Sequence, residues 1–547
     1  MFNKNYIKMN KIYIFACITV LSLLFGCNKK PELLKNFSMN RYIDSYFSAP
    51  QNFDVYPNIK QQDFLSNLYQ KNQNQSFWFG SDNLPNKQSK QMFNLLANSM
   101  NYGLDTIFYD LPTIRGFMEG FSQDSLITNE NKQAMLGYEL CLTQSAISFF
   151  RHLNRGIMPF DPLEYITKEK IDSTSSYFSI YDFYEEFPQD SLIDIMHHAF
   201  TTDSIQAAMD LVQPPNIHYK MLQKALEIYV QSTPINRDSI KVSYYERDSV
   251  WSSTFENYRK GCLALQKLRW SNIDEKQYIF INIPSFSLDL VQENMIALQH
   301  KIICGTPENQ TPELNSHLRQ IRLFPDWNIP YSIATKEVLP IVRKNTAYIA
   351  KNSYEVLDRK GNILNPDSVP WKKYTENYFP LRIRQTPGYH NSLGVIMFYF
   401  ENTSAVYFHD TPSKGLFDKN FRAFSHGCMR LQNPIDFGKA IMEFESGILH
   451  LPKENLIEMG IYEAQKQKKQ QYDNRKDSVM PQITFQRKLQ AREKYFYDVK
   501  KKIPIYVRYL TAFCKENGKI FFAPDFYGRD KLLLERYEKI IEEFSSK

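Results

Sequence analysis

The sequence predicts an α+β protein of several domains, in which a helical part precedes a mostly β part. The chain has 547 residues, and because domains average about 150 residues, several are expected. Hydrophobic residues make up 43% of the chain and charged residues 23%, which is enough apolar surface for sizeable cores and excludes a wholly disordered protein. Apolar residues repeat at helical spacing before residue 230 and fall into short β-branched runs after residue 270.

Residues 61–230 form the predicted helical domain. Apolar side chains recur at helical spacing from Phe93 to Leu104 and again from Met221 to Tyr229, a pattern typical of helices with one buried face. We interpret these stripes as core. The next segment, 231–270, is predicted to be a polar linker followed by one further helix.

Residues 271–462 form the predicted β-rich domain. The runs Tyr278–Ile283, Val395–Phe400 and Ala405–His409 are rich in β-branched and aromatic residues, which favour strands. Alternation along the third run puts Tyr407 and His409 on one face of the sheet and Phe408 on the other.

Two further segments complete the predicted organisation. The stretch 463–502 is rich in Lys, Gln and Arg, and we expect an insertion that forms a solvated helix. Residues 503–547 are predicted to be a mixed C-terminal segment. No internal repeat is visible in the chain.

The first residues of the chain resemble a bacterial lipoprotein signal. Three lysines precede the apolar run Ile12–Phe25, which ends at Gly26-Cys27 and is too short to span a bilayer comfortably. The resemblance implies a signal peptide at 1–26, lipidation of Cys27 and anchorage at the periplasmic face of a membrane. The residues that follow are polar with few periodic signals, so 27–60 is predicted to be a tether. An ordinary signal peptide and an uncleaved anchor remain as alternatives.

The net charge of +7 is too dilute over this long chain to indicate nucleic-acid binding, and no nucleic acid is expected as a partner.

Five cysteines remain after Cys17 and Cys27 are set aside, an odd number for an oxidising compartment. An odd number suggests at least one free thiol, and disulfides among the cysteines other than Cys428 stay open. These residues are Cys141, Cys262, Cys304, Cys428 and Cys514.

The segment around Cys428 combines the residue types of a thiol active site. A cysteine becomes a nucleophile as the thiolate, which a nearby base or positive charge supplies. Gly427 gives the backbone freedom to turn its N–H groups toward a reacting carbonyl as an oxyanion hole. Arg430 offers a fixed charge for a substrate carboxylate. If His409 lies within hydrogen-bond range, we expect a depressed thiol pKa.

Two histidines compete for the role of base. His426 is only two residues before the thiol, where neighbouring side chains often point apart, whereas His409 ends a predicted strand. His409 is therefore the predicted general base and His426 a structural residue. A metal site is not favoured, because no Cys-x-x-Cys or His-x-x-x-His pair supplies further ligands. No phosphate-binding loop is visible, and no cofactor is expected.

The segment Ser425–Arg430, with His409 nineteen residues before Cys428, resembles the catalytic signature of the YkuD-type L,D-transpeptidases. Further blocks are similar to the large, YcbB-like subgroup of that family, and together they cover most of residues 65–530. They include Thr311-Pro312, Asp326–Pro330, Gln385–Gly388, Tyr509–Ala512 and Asp525–Gly528 in the β-rich part, and Tyr102–Asp105 and His152–Gly156 in the helical part.

The resemblance implies a mostly β catalytic domain with a helical scaffold domain, and a cap over the active site at about 341–380. One departure is the apparent absence of the small peptidoglycan-binding module that the subgroup commonly carries between these two domains. The charged stretch at 463–502 is a second departure.

The resemblance also implies the chemistry. Cys428 would attack a peptidoglycan stem tetrapeptide, expel its terminal D-Ala, and pass the acyl group to the amine of a second stem as a 3→3 cross-link. His409 would transfer the protons, Gly427 would belong to the oxyanion hole, and Ser425, His426 and Arg430 would orient the loop or substrate. Two thiol-based alternatives are an L,D-carboxypeptidase or endopeptidase and attachment of an outer-membrane protein to the wall. The third alternative is a lipoprotein that binds the wall without catalysing a reaction.

Overall fold

A computed structural model of the chain describes residues 37–48, 62–120, 129–158, 188–233, 249–446, 496–515 and 517–545. The chain divides into two compact units, each of which is described below by itself. The first comprises the described parts of Met1–Ser99, Thr106–Phe150 and Phe187–Met209, and the second those of Met100–Asp105, Arg151–Glu186 and Asp210–Lys547.

Helices dominate the described chain before residue 271. They are α1 (Met39–Phe47), α2 (Gln62–Lys71), α3 (Lys87–Ala97), α4 (Leu111–Gly120), α5 (Asn129–Arg155), α6 (Gln189–Thr201), α7 (Ile205–Val212), α8 (Ile217–Ser232) and α9 (Ser249–Trp270), with short 3₁₀ turns at Ser99–Tyr102 and Thr106–Tyr109.

The first unit is built around buried apolar and aromatic side chains together with one buried carboxylate. Glu139 on α5 is fully buried. It accepts hydrogen bonds from the Tyr69 hydroxyl (2.7 Å) and from the backbone N–H of Phe77 (2.8 Å). Nearby, the fully buried indole of Trp78 donates to Thr143 Oγ1 at 2.7 Å. These bonds satisfy polar groups that would otherwise oppose burial.

The main sheet of the second unit contains β1 (Gln277–Asn282), β2 (Ser287–Gln292), β3 (Met295–Gly305), β4 (Leu314–Leu323), β9 (Ile396–Phe400), β10 (Phe408–His409), β11 (Ala423–Ser425), β12 (Met429–Leu431) and β13 (Phe496–Arg508). Eight of these strands close into a ring, in the order β3-β12-β10-β9-β4-β13-β1-β2 and back to β3, and β11 pairs with the other part of β3. Closure removes the unpaired edges that a sheet otherwise presents.

Two apolar cores lie on the two faces of this ring, because strand side chains alternate between faces. One face carries Ile279, Phe398, Phe408 and Met429 into a single buried cluster, against which Phe437 of the helix α13 (Pro434–Ser446) packs. The opposite face of β1, β2 and β13 packs on α8, α9 and the C-terminal helix α14 (Arg529–Ser545). The small hairpin β14 (Ala512–Cys514) and β15 (Ile520–Phe522) lies between β13 and α14 in the chain.

Residues 327–385 form a subdomain with its own core, which we call the cap subdomain. Its four-stranded sheet has the order β5-β8-β6-β7, and its buried side chains include Val338, Val356, Trp371 and Ile383. The elements are β5 (Trp327–Asn328), α10 (Tyr331–Ile333), a π-helical turn (Ala334–Val338), α11 (Leu339–Val342), α12 (Ala347–Lys351), β6 (Tyr354–Leu357), β7 (Ile363–Leu364) and β8 (Arg382–Gln385), with 3₁₀ turns at Pro366–Ser368 and Trp371–Lys373. This subdomain is wider than the stretch 341–380 predicted as a cap.

The predicted fold class is confirmed, since a helical region precedes a mostly β domain. Three local predictions need correction. The run Ala405–His409 is extended only at Phe408–His409, because Ala405 has a φ of 53° and ends a turn. Residues 496–502 of the charged stretch belong to β13 rather than to a solvated helix, and its earlier residues lie outside the described part. The predicted tether contains α1, which buries Met39 and Ile43.

Among the described residues, no helix is both long enough and apolar enough to cross a bilayer. The predicted signal at 1–26 and the predicted lipidation site Cys27 lie outside those residues.

Candidate active site

Three residues of the predicted constellation, His409, Cys428 and Arg430, lie on one face of the ring, where β10 and β12 run side by side. The two strands are parallel, with His409 opposite Arg430 and Phe408 opposite Met429. Met429 and Phe408 point into the apolar core, so His409 and Arg430 share the other face. Cys428 immediately precedes β12, and alternation places its side chain on the same face as Arg430.

His409 is held as a neutral base with one defined tautomer. The residue is 4% exposed, and its Nδ1 lies 2.5 Å from the Asp410 carbonyl oxygen. A carbonyl can only accept, so Nδ1 carries the hydrogen and Nε2 keeps its lone pair. Burial and the charge of Arg430 lower the pKa of His409 to about 3. The imidazole is therefore unprotonated at neutral pH and can accept a proton at Nε2.

The Cys428 thiol is in its neutral form at rest. Burial raises the pKa of Cys428, although hydrogen bonding from Tyr407 and the positive charge of Arg430 act in the opposite direction. A depressed thiol pKa was expected only with a hydrogen bond from His409 to the thiol; no such bond is present among the described residues, and the pKa is raised instead. With the imidazole also uncharged, the resting pair is thiol and imidazole rather than thiolate and imidazolium.

The loop that carries the thiol is fixed by the hydroxyl of Ser425, which is 3% exposed. Ser425 Oγ donates to the Cys428 carbonyl at 2.6 Å and accepts the Gly427 N–H at 3.1 Å. Gly427 has a φ of +110°, a conformation that residues with a Cβ rarely adopt. Space is not the constraint there, since the nearest atom to an added Cβ would be the Gln310 carbonyl oxygen at 3.5 Å.

The backbone N–H groups of Gly427 and Cys428, where an oxyanion hole was predicted, have different surroundings. The Gly427 N–H is committed to Ser425, whereas no described residue accepts the N–H of Cys428. Gly427 therefore gives the loop its positive-φ turn, and among the described residues the N–H of Cys428 is the donor beside the thiol without an acceptor.

His426 and Arg430 occupy different surroundings. The side chain of His426 is 47% exposed, and its Nε2 lies 2.7 Å from Glu337 Oε1 in the cap subdomain. Arg430 lies beside the thiol, and its Nε is buried without a hydrogen-bond partner among the described residues. Burial also lowers the pKa of Arg430. Arg430 thus has hydrogen-bonding capacity to spare for a ligand.

Sequence reasoning missed two aromatic residues at this site. The Tyr407 side chain lies beside the Cys428 thiol and the Trp327 side chain of β5, and both neighbours shift its pKa. Because an indole N–H can only donate, Trp327 presents a donor to the Tyr407 oxygen. Tyr407 stands two residues before His409 and on the same face, and this alternation was the available signal.

No group of three His, Cys, Asp or Glu residues in the described part of the chain is arranged to hold a metal ion. The five cysteines Cys141, Cys262, Cys304, Cys428 and Cys514 are unbridged. A separate cavity of about 610 Å³ lies in the second unit, bordered by His218, Asp289 and Lys301.

Comparison with known families assigns two parts of the chain. Residues 276–442 match the L,D-transpeptidase catalytic domain (YkuD), and residues 63–226 match a Scaffold domain. A Haemophilus influenzae protein named "Putative L,D-transpeptidase" is 30% identical over 253 residues, which are 46% of this chain and 44% of that relative. The chain thus spans less than half the length of that relative.

A solved structure described as "Structure of the Ldtfm-avibactam carbamoyl enzyme" is 12% identical and covers 32% of this chain and 54% of its own. Its TM-score is 0.15, which is too low to bear on the fold. The two family matches stand in the order that the sequence predicted for the YcbB-like architecture, and they confirm the resemblance. The chain therefore carries a catalytic domain of the YkuD L,D-transpeptidase family together with a Scaffold domain.

Proposed function

We propose that this chain is a peptidoglycan L,D-transpeptidase that joins stem peptides by 3→3 cross-links through a thioester on Cys428. One observation carries the proposal. His409, whose Nε2 is a hydrogen-bond acceptor, lies on the same face of the sheet as the Cys428 thiol, and the backbone N–H of Cys428 has no acceptor among the described residues. These are the base, the nucleophile and the oxyanion donor that acyl transfer needs. The membership of residues 276–442 in the catalytic family supports the reaction class.

The first half of the reaction is acylation. Cys428 Sγ attacks the carbonyl of the third residue of a donor tetrapeptide while His409 Nε2 takes the thiol proton. The oxygen of the tetrahedral intermediate accepts the N–H of Cys428. On collapse, the bond to the terminal D-Ala breaks, and the leaving amine takes the proton from His409. Proton transfer within the step fits the neutral resting pair, since no thiolate is present beforehand.

The second half transfers the acyl group to the side-chain amine of another stem peptide. The amine attacks the thioester, His409 accepts one of its protons, the C–S bond breaks, and the thiol regains a proton. Arg430 supplies hydrogen bonds to a substrate carboxylate, which its unpartnered Nε leaves possible. Ser425 acts through the loop, and His426 acts through its contact with the cap subdomain.

The test is incubation of the purified chain with a tetrapeptide muropeptide, followed by mass analysis of the products. A dimer that has lost one D-Ala is expected, and Cys428→Ala should abolish it. Shortened monomers alone would instead favour an L,D-carboxypeptidase or endopeptidase, in which water accepts the acyl group. Transfer only to an added protein amine would favour attachment of an outer-membrane protein. Product formation by Cys428→Ala would overturn the cysteine mechanism.

A carbapenem-type β-lactam gives an independent measure of the nucleophile, because it acylates a thiol without needing an acceptor. Brief exposure should add one drug mass to the wild type and none to Cys428→Ala. Cys514→Ala is the matched control, since Cys514 is also a free thiol but lies outside the site. An adduct that survives in Cys428→Ala would contradict the assignment.

We also propose that the chain is exported and anchored at the periplasmic face of a membrane by lipid on Cys27. The motif Gly26-Cys27 after a short apolar run supports this. A Cys27→Ser variant should leave the membrane fraction or stay unprocessed. Membrane association in that variant that still needs detergent for release would contradict a lipid anchor.

A further inference from the structure

The peptide group between Gly427 and Cys428 is held at its carbonyl end by a residue more than a hundred positions away in the chain. Thr311 Oγ1 donates to the Gly427 carbonyl oxygen at 2.8 Å. Both groups are buried, and Thr311 is 0% exposed. A buried hydroxyl with one defined acceptor fixes the orientation of that carbonyl.

Peptide planarity transmits this orientation to Cys428. In a trans peptide the C=O and the following N–H point in opposite directions within one plane. Because Thr311 fixes the carbonyl of Gly427, it also directs the N–H of Cys428 away from Thr311. That N–H has no acceptor among the described residues. It is the donor to which the proposed mechanism assigns the oxyanion.

Thr311 is itself held on several sides. Its Oγ1 accepts the Gly305 N–H at 2.9 Å, and its own N–H donates to Tyr527 Oη at 3.1 Å. Tyr527 Oη in turn donates to the Gly305 carbonyl at 2.6 Å. Arg529 Nη2 donates to the Thr311 carbonyl at 3.1 Å. Gly305 is required, since an added Cβ would lie 1.9 Å from the Asn309 carbonyl oxygen.

We propose that Thr311 is a positioning residue for acyl transfer, which aims the Cys428 N–H at the oxyanion, and that Tyr527 of the C-terminal segment holds Thr311 in place. This inference rests on the proposed function. It assigns a purpose to the last part of the chain, which otherwise contributes no group to the site. The thiol and the imidazole do not depend on it.

The test compares two reactions of the same thiol. Carbapenem acylation passes through a tetrahedral intermediate whose former carbonyl oxygen is an oxyanion. Alkylation by iodoacetamide displaces iodide and forms no oxyanion. Thr311→Val keeps the shape but removes the hydroxyl. Because deleting an oxyanion donor outright costs about 10²–10³-fold, a misdirected donor should slow acylation by about 10- to 100-fold. Alkylation should change by less than about twofold, so the ratio of the two rate constants falls.

Matched variants separate positioning from folding. Thr311→Ser keeps the hydroxyl and therefore the hydrogen bond to the Gly427 carbonyl, so it should restore the ratio to within about threefold of wild type. Thr143→Val removes a hydroxyl that is equally buried but belongs to the other compact unit, and it should leave the ratio unchanged. If Thr311→Val does not fold, Tyr527→Phe carries the test with a smaller fall, of about three- to tenfold.

Three results would overturn the inference. One is an unchanged ratio in a folded Thr311→Val. Another is an equal loss of both reactions, which would indicate damage to the thiol or the fold. The third is a ratio in Thr311→Ser as low as that in Thr311→Val. Failure of wild-type acylation would instead overturn the proposed function, and this inference with it, so the two failures are distinguishable.

Discussion

Acylation of Cys428 should be nearly independent of pH between about pH 8 and pH 5. The reason is the state of His409, whose pKa is lowered from 6.5 to about 3 by burial and by the charge of Arg430. An ordinary histidine would be only about 3% unprotonated at pH 5, which would cost about 30-fold in rate for a general base. His409 should remain about 99% unprotonated at that pH, so its loss is negligible.

The assay is the second-order rate constant of carbapenem acylation, measured by intact-protein mass at pH 5, 6, 7 and 8. Alkylation by iodoacetamide serves as a reference, because it depends on thiolate and burial raises the pKa of Cys428. Alkylation should therefore rise with pH over a range in which acylation is flat. Arg430→Gln removes the second-largest cause of the low His409 pKa, after burial, and should move the acid limb toward higher pH.

The stability of the folded protein must be measured at each pH, because protonation of His409 lowers it. The unfolded chain binds a proton on this histidine more readily than the folded chain does. The free energy of unfolding therefore falls as pH drops below 6.5, by about 1.4 kcal/mol per pH unit, or about 2 kcal/mol in total at pH 5. Circular dichroism at each pH provides the control. A 30-fold loss of acylation at pH 5 in a protein that is still folded would refute the neutral, low-pKa assignment.

Three further experiments test separate features of the structure. Gly427→Ala should destabilise the fold by about 1–3 kcal/mol and abolish acylation, because φ is +110°; Gly415→Ala, with open space around it, should do neither. Glu337→Gln and His426→Ala should show a coupling below about 1 kcal/mol in a double-mutant cycle, since this ion pair is half-exposed; a larger coupling would contradict a surface contact. Asp530→Asn should lower the free energy of unfolding in urea by about 3–5 kcal/mol, because it removes the carboxylate that lies 2.5 Å from the Lys267 ammonium, whose side chain is 1% exposed. The control is Asp436→Asn, which changes an exposed carboxylate. Equal effects of the two substitutions would contradict the argument.

Local sequence patterns predicted the parts of the structure that local physics determines. Helical spacing around Met221 and strand chemistry at Tyr278–Ile283 identified α8 and β1, because each element buries one continuous stripe or face. The turn before Phe408 escaped, since Ala405 adopts a positive φ that its residue type does not announce. The first residues of β13 escaped for a different reason. Their charges suit a solvated helix equally well, and only pairing with β4 makes them a strand.

The candidate site shows the same division between local and long-range information. The choice of His409 over His426 came from strand alternation and stays a prediction, while the structure places His426 against Glu337. The direction of the Cys428 pKa shift could not be predicted from spacing, because the burial that raises this pKa is a tertiary property. Thr311 and Tyr527 could not be found by spacing either, since each reaches the loop from a distant segment of the chain.

The position of β13 in the ring has a consequence for the order of synthesis. β13 lies between β4 and β1 and pairs with both, yet it is translated after every other strand of the ring. Until it emerges, β1 and β4 present open edges, which invite association between nascent chains. Tyr527, which supports Thr311, is made later still. A chain that stops or is cut before residue 496 therefore contains both Cys428 and His409 but lacks the strand that closes the sheet around them.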